Sequence, residues 1–306
     1  MLLIGDPRDA HIAAVLAHLP RAGTAVLDAA SLKETLQQLD LQSIRLRDLD
    51  GAALEISSLA PQRGWIRRLA PPAWDHGVGL GSHRAAVLSA RLSTLAALLR
   101  DPSILWLTPV DQLFAAENKI VQYRGAIEVG VPVPTTVISP DRSVLAAELG
   151  EPFVMKPIGL GNFQGDGQQQ RVALARDVRA SDLENVDLLE APFLAQSRVN
   201  ATVHLRVVTV NEQAWMAELD ATNLPRDWRQ HTQAHYSFRA GSRWPGVREL
   251  AIRLAAFLGV GMSSQDWAVG KDGPVFLDLN PGGQWLFLPS EVADPVTQAI
   301  AEWLAD

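Results

Sequence analysis

Apolar residues in this chain fall in short runs, and the first, Met1-Leu-Leu-Ile4, stops at once at Asp6, Arg8 and Asp9 and reads as a strand. From Arg84 to Arg100, Leu88, Leu92, Leu95 and Leu99 recur at spacings of four, three and four, which predicts a helix. Such runs alternate with helical stretches up to about residue 115, the pattern of an α/β domain. Within it, Pro71 to Gly81 is rich in Pro and Gly and predicts an irregular loop, a type that serves as a plain connector or carries function. An amphipathic segment from Phe114 to Val129 leads into the stiff Pro132-Val-Pro134, so a boundary is expected near 115.

The second half resumes with the strand-like Pro152-Phe-Val-Met-Lys-Pro157, a Gly-rich stretch, a polar helix-like segment around Arg179 to Asn185 and an apolar run from Leu188 to Gln196. Two strands, Val203 to Val210 and Gln213 to Leu219, hinge on Asn211-Glu212, and His204, Arg206 and Val208 share one face. A helix from Arg248 to Leu258 ends at Gly259, a residue suited to a left-handed cap. Val296, Ile300 and Trp303 mark a last helix from about Asp294 to Leu304. Between these helices, Ser264–Val269 and Pro274–Leu279 flank Gly270-Lys-Asp-Gly273 and predict an antiparallel hairpin. Folding it about Lys271 and Asp272 sets Asp266 within about one residue of Asp278.

A length of 306 residues accommodates one large core or two to three smaller ones, and 47% hydrophobic with 20% charged residues is the composition of a folded globular protein. The formal charge of −7 argues against a nucleic-acid partner. Absence of cysteine excludes disulfides, thiol catalysis and cysteine-ligated zinc, and favours a cytoplasmic location. No run approaches the roughly 20 apolar residues of a membrane span.

The candidate chemistry centres on Asp278-Leu-Asn280. Side chains two apart on a strand leave the same face, so a carboxylate and an amide oxygen stand together and, with Asp266, supply oxygen ligands for a hard cation such as Mg²⁺. Lys156 sits among Val154, Met155 and Pro157, surroundings that call for an anion. Immediately after it come Gly159, Gly161, Gly165 and Gly167, whose freedom suits backbone N–H groups wrapping phosphate oxygens. Neither G-x-x-x-x-G-K-[ST] nor a clean G-x-G-x-x-G is present. Arg206 and Arg229 carry planar forks that suit carboxylate and phosphate. Each feature alone also has a structural reading: a buried ion pair, a mobile loop or, for Lys119, a surface helix lysine. Their joint occurrence in this order makes up the parts list for a nucleoside triphosphate with Mg²⁺, and no H-E-x-x-H motif or nucleophile elbow competes.

The ordered set Ala116-Glu-Asn-Lys119, Gly130-Val-Pro-Val-Pro134, Val154-Met-Lys156-Pro, Leu205-Arg206-Val-Val, Asp227-Trp-Arg229 and Asp278-Leu-Asn280-Pro-Gly-Gly-Gln284-Trp285 resembles the ATP-grasp superfamily. It is most similar there to the microviridin-type, or graspetide, ligases that tie side chains of ribosomal precursor peptides together. Gly64-Trp-Ile-Arg-Arg68 looks like that family's N-terminal aromatic-arginine motif. The resemblance spans nearly the whole chain and implies an α/β ATP-grasp fold: an N-terminal peptide-binding domain over 1–115, a central lid-bearing subdomain over 116–192 and a C-terminal antiparallel-sheet subdomain over 193–306. It further implies phosphate contacts from Lys119, Lys156 and the loop glycines, and nucleotide contacts around Gln196, Ser197, Val199 and His204. Asp266, Asp278 and Asn280 would hold metal, Arg206 and Arg229 would face the γ-phosphate and the activated carboxylate, and Arg67 and Arg68 would meet the peptide. The chain departs from the family pattern at Ser197, where a glutamate is usual, at His204, where an acidic residue is common, and at Asp278, which replaces a glutamate.

The function so implied is an ATP-dependent ligase that activates Asp or Glu side chains of an acidic precursor peptide as acylphosphates and joins them to Ser or Thr hydroxyls or Lys amines. A homodimer is expected. Two other functions fit the same residues: a ligase that adds a free amino acid to a peptide or small carboxylate, and a non-catalytic nucleotide or leader-peptide binding module.

Overall fold

The computed structural model describes residues 1–71, 74–158, 162–164, 170–172, 175–186, 188, 193–225, 228–231 and 233–306; of 162–164, 170–172 and 229 the backbone alone is described. The N-terminal part is a parallel sheet in the order β2-β1-β6-β7. Its strands are β1 (Leu2–Ile4), β2 (Ala25–Leu27), β6 (Gln62–Ile66) and β7 (Ile104–Trp106), joined by α1 (Ala10–Leu16), α2 (Leu32–Thr35) and α3 (His83–Leu98). Between α2 and β6 the chain makes a separate antiparallel meander of β3 (Leu36–Leu39), β4 (Ser43–Arg47) and β5 (Ala53–Ser57), which is not among the elements predicted above. Strand alternation divides the parallel sheet between two cores. Leu2, Ile4 and Ile66 face the core that also holds Leu95 and Leu98 of α3, whereas Leu3 and Trp65 face α1 and the C-terminal helix.

The amphipathic stretch from Phe114 to Val129 is two helices, α4 (Val110–Glu117) and α5 (Lys119–Glu128), so residue 115 lies inside a helix. Asn118 breaks them, because its side chain accepts from the backbone N–H of Ile120 (2.9 Å) and Val121 (3.3 Å) and starts α5 afresh. A second sheet, β12-β9-β13-β8, follows, built from β8 (Thr136–Val137), β9 (Phe153–Pro157), β12 (Arg176–Val178) and β13 (Phe193–Gln196), with α6 (Arg142–Leu149) against it. Beside it β10 (Asn162–Gln164) and β11 (Gln170–Val172) pair with each other. The polar segment after β12 forms only a 3₁₀ turn, Ala180–Leu183.

The third sheet, β16-β15-β14-β17-β18, is antiparallel: β14 (Val203–Val210), β15 (Gln213–Asp220), β16 (Arg239–Ala240), β17 (Met262–Gly270) and β18 (Gly273–Asn280). Its faces have different partners. Leu205, Val207, Met216 and Trp267 pack on α5 and α7 (Pro245–Phe257), which ends at Gly259 with φ +69. Val208, Val210, Ala217 and Leu219 pack on α8 (Ser290–Ala305). Because α8 covers the Val208 end of that face, the His204 and Arg206 end is left for a cavity.

The first and third sheets meet where Thr108 Oγ1 accepts from the N–H groups of Gly261 (3.0 Å) and Met262 (3.3 Å). A Cβ on Gly261 would collide with the carbonyl oxygen of Leu107, which is backbone and has no rotamer to yield. Gly261→Ala is therefore expected to destabilise the protein by about 3 kcal/mol. Urea unfolding would show this as a lowered midpoint with the slope unchanged, and a midpoint equal to that of the parent would contradict it.

Candidate functional site

The hairpin of β17 and β18 is not an unbroken ladder. From the turn, Gly270 pairs with Gly273, Val269 with Pro274, Ala268 with Val275 and Trp267 with Phe276; then Asp266 pairs with Asp278, Gln265 with Leu279 and Ser264 with Asn280. Leu277 is the extra residue of a β-bulge. Were Leu277 paired in a regular ladder instead, Asp278 would stand opposite the buried Gln265, on the face packed against α7. The bulge turns Asp278 and Asn280 to the other face, directly across from Asp266 and Ser264. The carbonyl of the bulged Leu277 accepts from Tyr123 Oη (2.5 Å) and lies 3.5 Å from Lys156 Nζ.

Cations reach this row from three elements. Arg206 on β14 is the cross-strand partner of Asp266 and donates Nη1 to its Oδ1 at 2.7 Å. Its Nη2 donates to the carbonyl of Gln284 at 3.3 Å. Lys119, the first residue of α5, places Nζ 2.9 Å from Asp278 Oδ1. Helix α5 is fixed to the free edge of β18 by the buried Gln122, whose side chain donates to the carbonyl of Leu279 (2.7 Å) and accepts from its N–H (2.9 Å), continuing the ladder that β18 lacks on that side. Lys119, Gln122 and Tyr123 occupy positions i, i+3 and i+4 of one helical face, a spacing visible in the sequence once Lys119 is a candidate. Burial, and next to it the Asp278 charge, hold the Tyr123 phenol well above its ordinary pKa, so it remains a donor.

A cavity of about 1110 Å³ gathers Lys119, Lys156, Gln196, Ser197, Val199, His204, Asp266, Asp278 and Asn280; Arg206, behind Asp266, is not among the residues that line it. Trp228 and Asp177, which the sequence reading does not single out, also line it. Gln196 is buried and donates to Thr136 Oγ1 at 2.9 Å, which ties β13 to β8 at the cavity wall. Gly159, Gly161, Gly165 and Gly167, and the side chain of Arg229, lie outside the described residues. The oxygens of Asp266, Asp278 and Asn280, two carboxylates and an amide, are the donor type Mg²⁺ takes. Among the described residues no group of three or more His, Cys, Asp or Glu that could hold a metal ion occurs.

Arg67 is placed elsewhere than the cavity surface. It is 6% exposed, its Nη1 donates to the carbonyl of Gly282, and its Nη2 lies 3.6 Å from Asp9 Oδ2. Arg68 is half-buried, and its N–H donates to the Ile4 carbonyl at 3.1 Å. Next to Arg67, His11 Nε2 accepts from the N–H of Trp285 at 3.3 Å and its ring meets the indole edge-on at 4.5 Å. Burial first, and then the Arg67 charge, push His11 down to about 4. Burial opposes ionisation of Asp9, but the Arg67 guanidinium and the N–H of His11 together hold its carboxyl below the usual range.

No protein-family model matches the chain, and no curated protein sequence does. Solved structures do. The chain is similar to the macrocyclase MdnC of Microcystis aeruginosa MRC bound with precursor peptide MdnA, at 22% identity over 99% of this chain and 98% of that one, with a TM-score of 0.81. It is similar to a Chryseobacterium gregarium RiPP-associated ATP-grasp ligase in complex with ADP and a leader and core peptide, at 17% identity over 100% and 96% of the two chains, TM-score 0.84. A third is the ATP-grasp ligase PsnB complexed with minimal precursor, Mg and ADP, at 19% identity over 100% and 98%, TM-score 0.73. The chain has the ATP-grasp fold over its full described length.

His11 titrates from about 6.5 in the unfolded chain to about 4 in the fold, so between those values the unfolded state binds more protons and stability falls as pH falls. A loss on the order of 2 kcal/mol is expected between pH 7 and 5 from this residue. Urea midpoints of the parent and of His11→Gln across that range test it. The variant should lose most of the slope, and an unchanged slope would contradict the assignment.

Proposed function

We propose that this chain is an ADP-forming ATP-grasp ligase acting on carboxylates of an acidic, ribosomally made precursor peptide. The observation that carries the reading is the convergence of Lys119 and Lys156, from two different elements, on the bulged segment of β18 that presents Asp278 opposite Asp266. Ammonium groups and carboxylates of one cavity, standing opposite each other, suit a triphosphate with its cation. The peptide and ADP bound to the structural relatives support the choice of substrates.

On this reading Lys119 and Lys156 bind phosphate oxygens, the wall at Gln196, Ser197 and Val199 receives the adenine, and Asp266, Asp278 and Asn280 hold Mg²⁺. Bound there, Mg²⁺ would supply charge neutralisation to the phosphate oxygens. Phosphoryl transfer requires positioning and charge neutralisation more than covalent help from the protein, which a site of lysines, an arginine and carboxylates supplies. Arg206, adjoining Asp266, orients the substrate carboxylate and stabilises charge on the moving oxygens, with Arg229 as its partner. The γ-phosphoryl passes to an Asp or Glu side chain and ADP departs. A Ser or Thr hydroxyl or a Lys amine then attacks the acylphosphate and releases phosphate. Residues 1–115 serve the peptide, 116–192 carry the lid and 193–306 carry the cation site.

Lys156→Ala and Asp278→Asn should each lower peptide-dependent ADP formation by about a hundredfold or more while leaving the fold intact, as circular dichroism and melting would show. Mass spectrometry of the peptide product should show one water lost per bond made. Turnover like that of the parent in either variant would remove this site from the reaction, and a gain of residue mass would replace ring closure with amino-acid addition.

A further inference from the structure

The segment Pro281-Gly-Gly-Gln-Trp285 joins the last residue of the cation site to the core and is held by a series of hydrogen bonds. The Gly282 N–H donates to Asn280 Oδ1 at 2.9 Å, and its carbonyl accepts from Arg67. The Gly283 N–H donates to the Asn280 carbonyl at 3.2 Å, and a Cβ at Gly283 would collide with Ser264, so the loop lies flush on β17. The Gln284 carbonyl accepts from Arg206 Nη2 at 3.3 Å and Ser264 Oγ at 3.4 Å. The Trp285 N–H donates to His11, and its buried indole donates to Thr297 Oγ1 at 2.9 Å.

We propose that Arg67 is a positioning residue for the cation site: by clamping the Gly282 peptide from the N-terminal sheet it fixes the Asn280 amide oxygen, with His11 holding the far end of the same loop. The inference rests on the reading that Asp266, Asp278 and Asn280 bind a divalent cation. Asn280 is solvent-exposed, and its amide would otherwise turn about its side-chain bonds. The Gly282 N–H selects the oxygen and leaves its second lone pair for a metal. That N–H points correctly only while the Gly282 carbonyl, on the next peptide unit, is held by Arg67. A buried guanidinium costs stability unless it is well paired, and Arg67 leaves its Nε without a partner, so the group is poorly explained as scaffold. Arg63, four residues earlier, shows what a scaffold arginine does here: it donates to the Trp303 carbonyl at 2.8 Å, lies 5.1 Å over the Trp303 ring and stands 3.7 Å from Asp306, which fastens β6 to the C-terminal helix.

Binding of Mn²⁺ in the presence of ADP, followed by the loss of the free-ion electron paramagnetic resonance signal, tests this without turnover. Arg67→Met is expected to weaken Mn²⁺ binding about tenfold to a hundredfold, as loss of an outer-sphere partner does, with Arg67→Lys recovering part of it. ADP affinity without metal should stay within about twofold, and Arg63→Met should bind Mn²⁺ like the parent although it melts lower. Mn²⁺ affinity within twofold of the parent in Arg67→Met, or an equal loss in Arg63→Met, would overturn the proposal. If Arg67→Met fails to melt cooperatively, His11→Leu, which frees the Trp285 end, is held to the same two criteria. Asp278→Asn separates the two readings: parent-like Mn²⁺ binding there removes the cation site itself, whereas loss there with no loss in Arg67→Met removes only the role of Arg67.

Discussion

One extra residue in one strand organises the site. Side chains on a strand alternate, so whether Leu277 is taken into the regular ladder or bulged out of it decides whether Asp278 and Asn280 face α7 or the cavity. On the turn side of the bulge Phe276 lies in the α7 core beside Trp267, and beyond it Leu279 takes over that role. Strand β18 thus supplies apolar side chains to the α7 face on both sides of the bulge and delivers two oxygen-bearing side chains to the other. The same irregularity exposes the Leu277 carbonyl to Tyr123 and Lys156, so the bulge also gives the neighbouring elements something to hold.

Around that row the structure keeps ion pairs where apolar packing would be cheaper. Arg206–Asp266, Lys119–Asp278 and Arg67–Asp9 are all partly or fully removed from water. Desolvating such groups typically cancels much of their mutual attraction, so pairs of this kind add little net stability. The first two stand on one face of the third sheet, beside a core of Val, Leu and Trp residues, and fit a surface shaped for an anion and a cation. The three sheets contribute unequally. The third carries the carboxylates, the second brings Lys156 and Gln196 on adjacent strands, and the first reaches the site only through Arg67 and His11.

Much of this was legible in the chain. The strands at 203–210 and 213–220, the hairpin about Lys271 and Asp272, and the last helix follow from alternation, periodicity and turn chemistry, which are local. The common face of Asp278 and Asn280 follows from a spacing of two. What local pattern does not carry is the bulge, since an added residue in an apolar run looks like any other, and simple counting sets Asp266 against Leu277. The break at Asn118 was hidden because the apolar periodicity runs on from α4 into α5, while the cap depends on one side chain. The meander of β3, β4 and β5 did leave a local trace, since Ser43-Ile-Arg-Leu-Arg47 and Ala53-Leu-Glu-Ile-Ser57 alternate about Asp50-Gly51; only β3, mostly exposed, lacks one. Arg67 reads as a surface cation beside Arg68 in sequence; only the packing of the first sheet against the Pro281–Trp285 loop turns it inward.

The account is tested most directly by a crystal structure of the chain with ADP and Mg²⁺. The account requires diphosphate oxygens within hydrogen-bonding distance of Lys119 and Lys156 Nζ, and a metal coordinated by oxygens of Asp266, Asp278 and Asn280. A nucleotide bound away from these residues, for example in the separate cavity of about 680 Å³ beside Arg243 and Trp244, would contradict it.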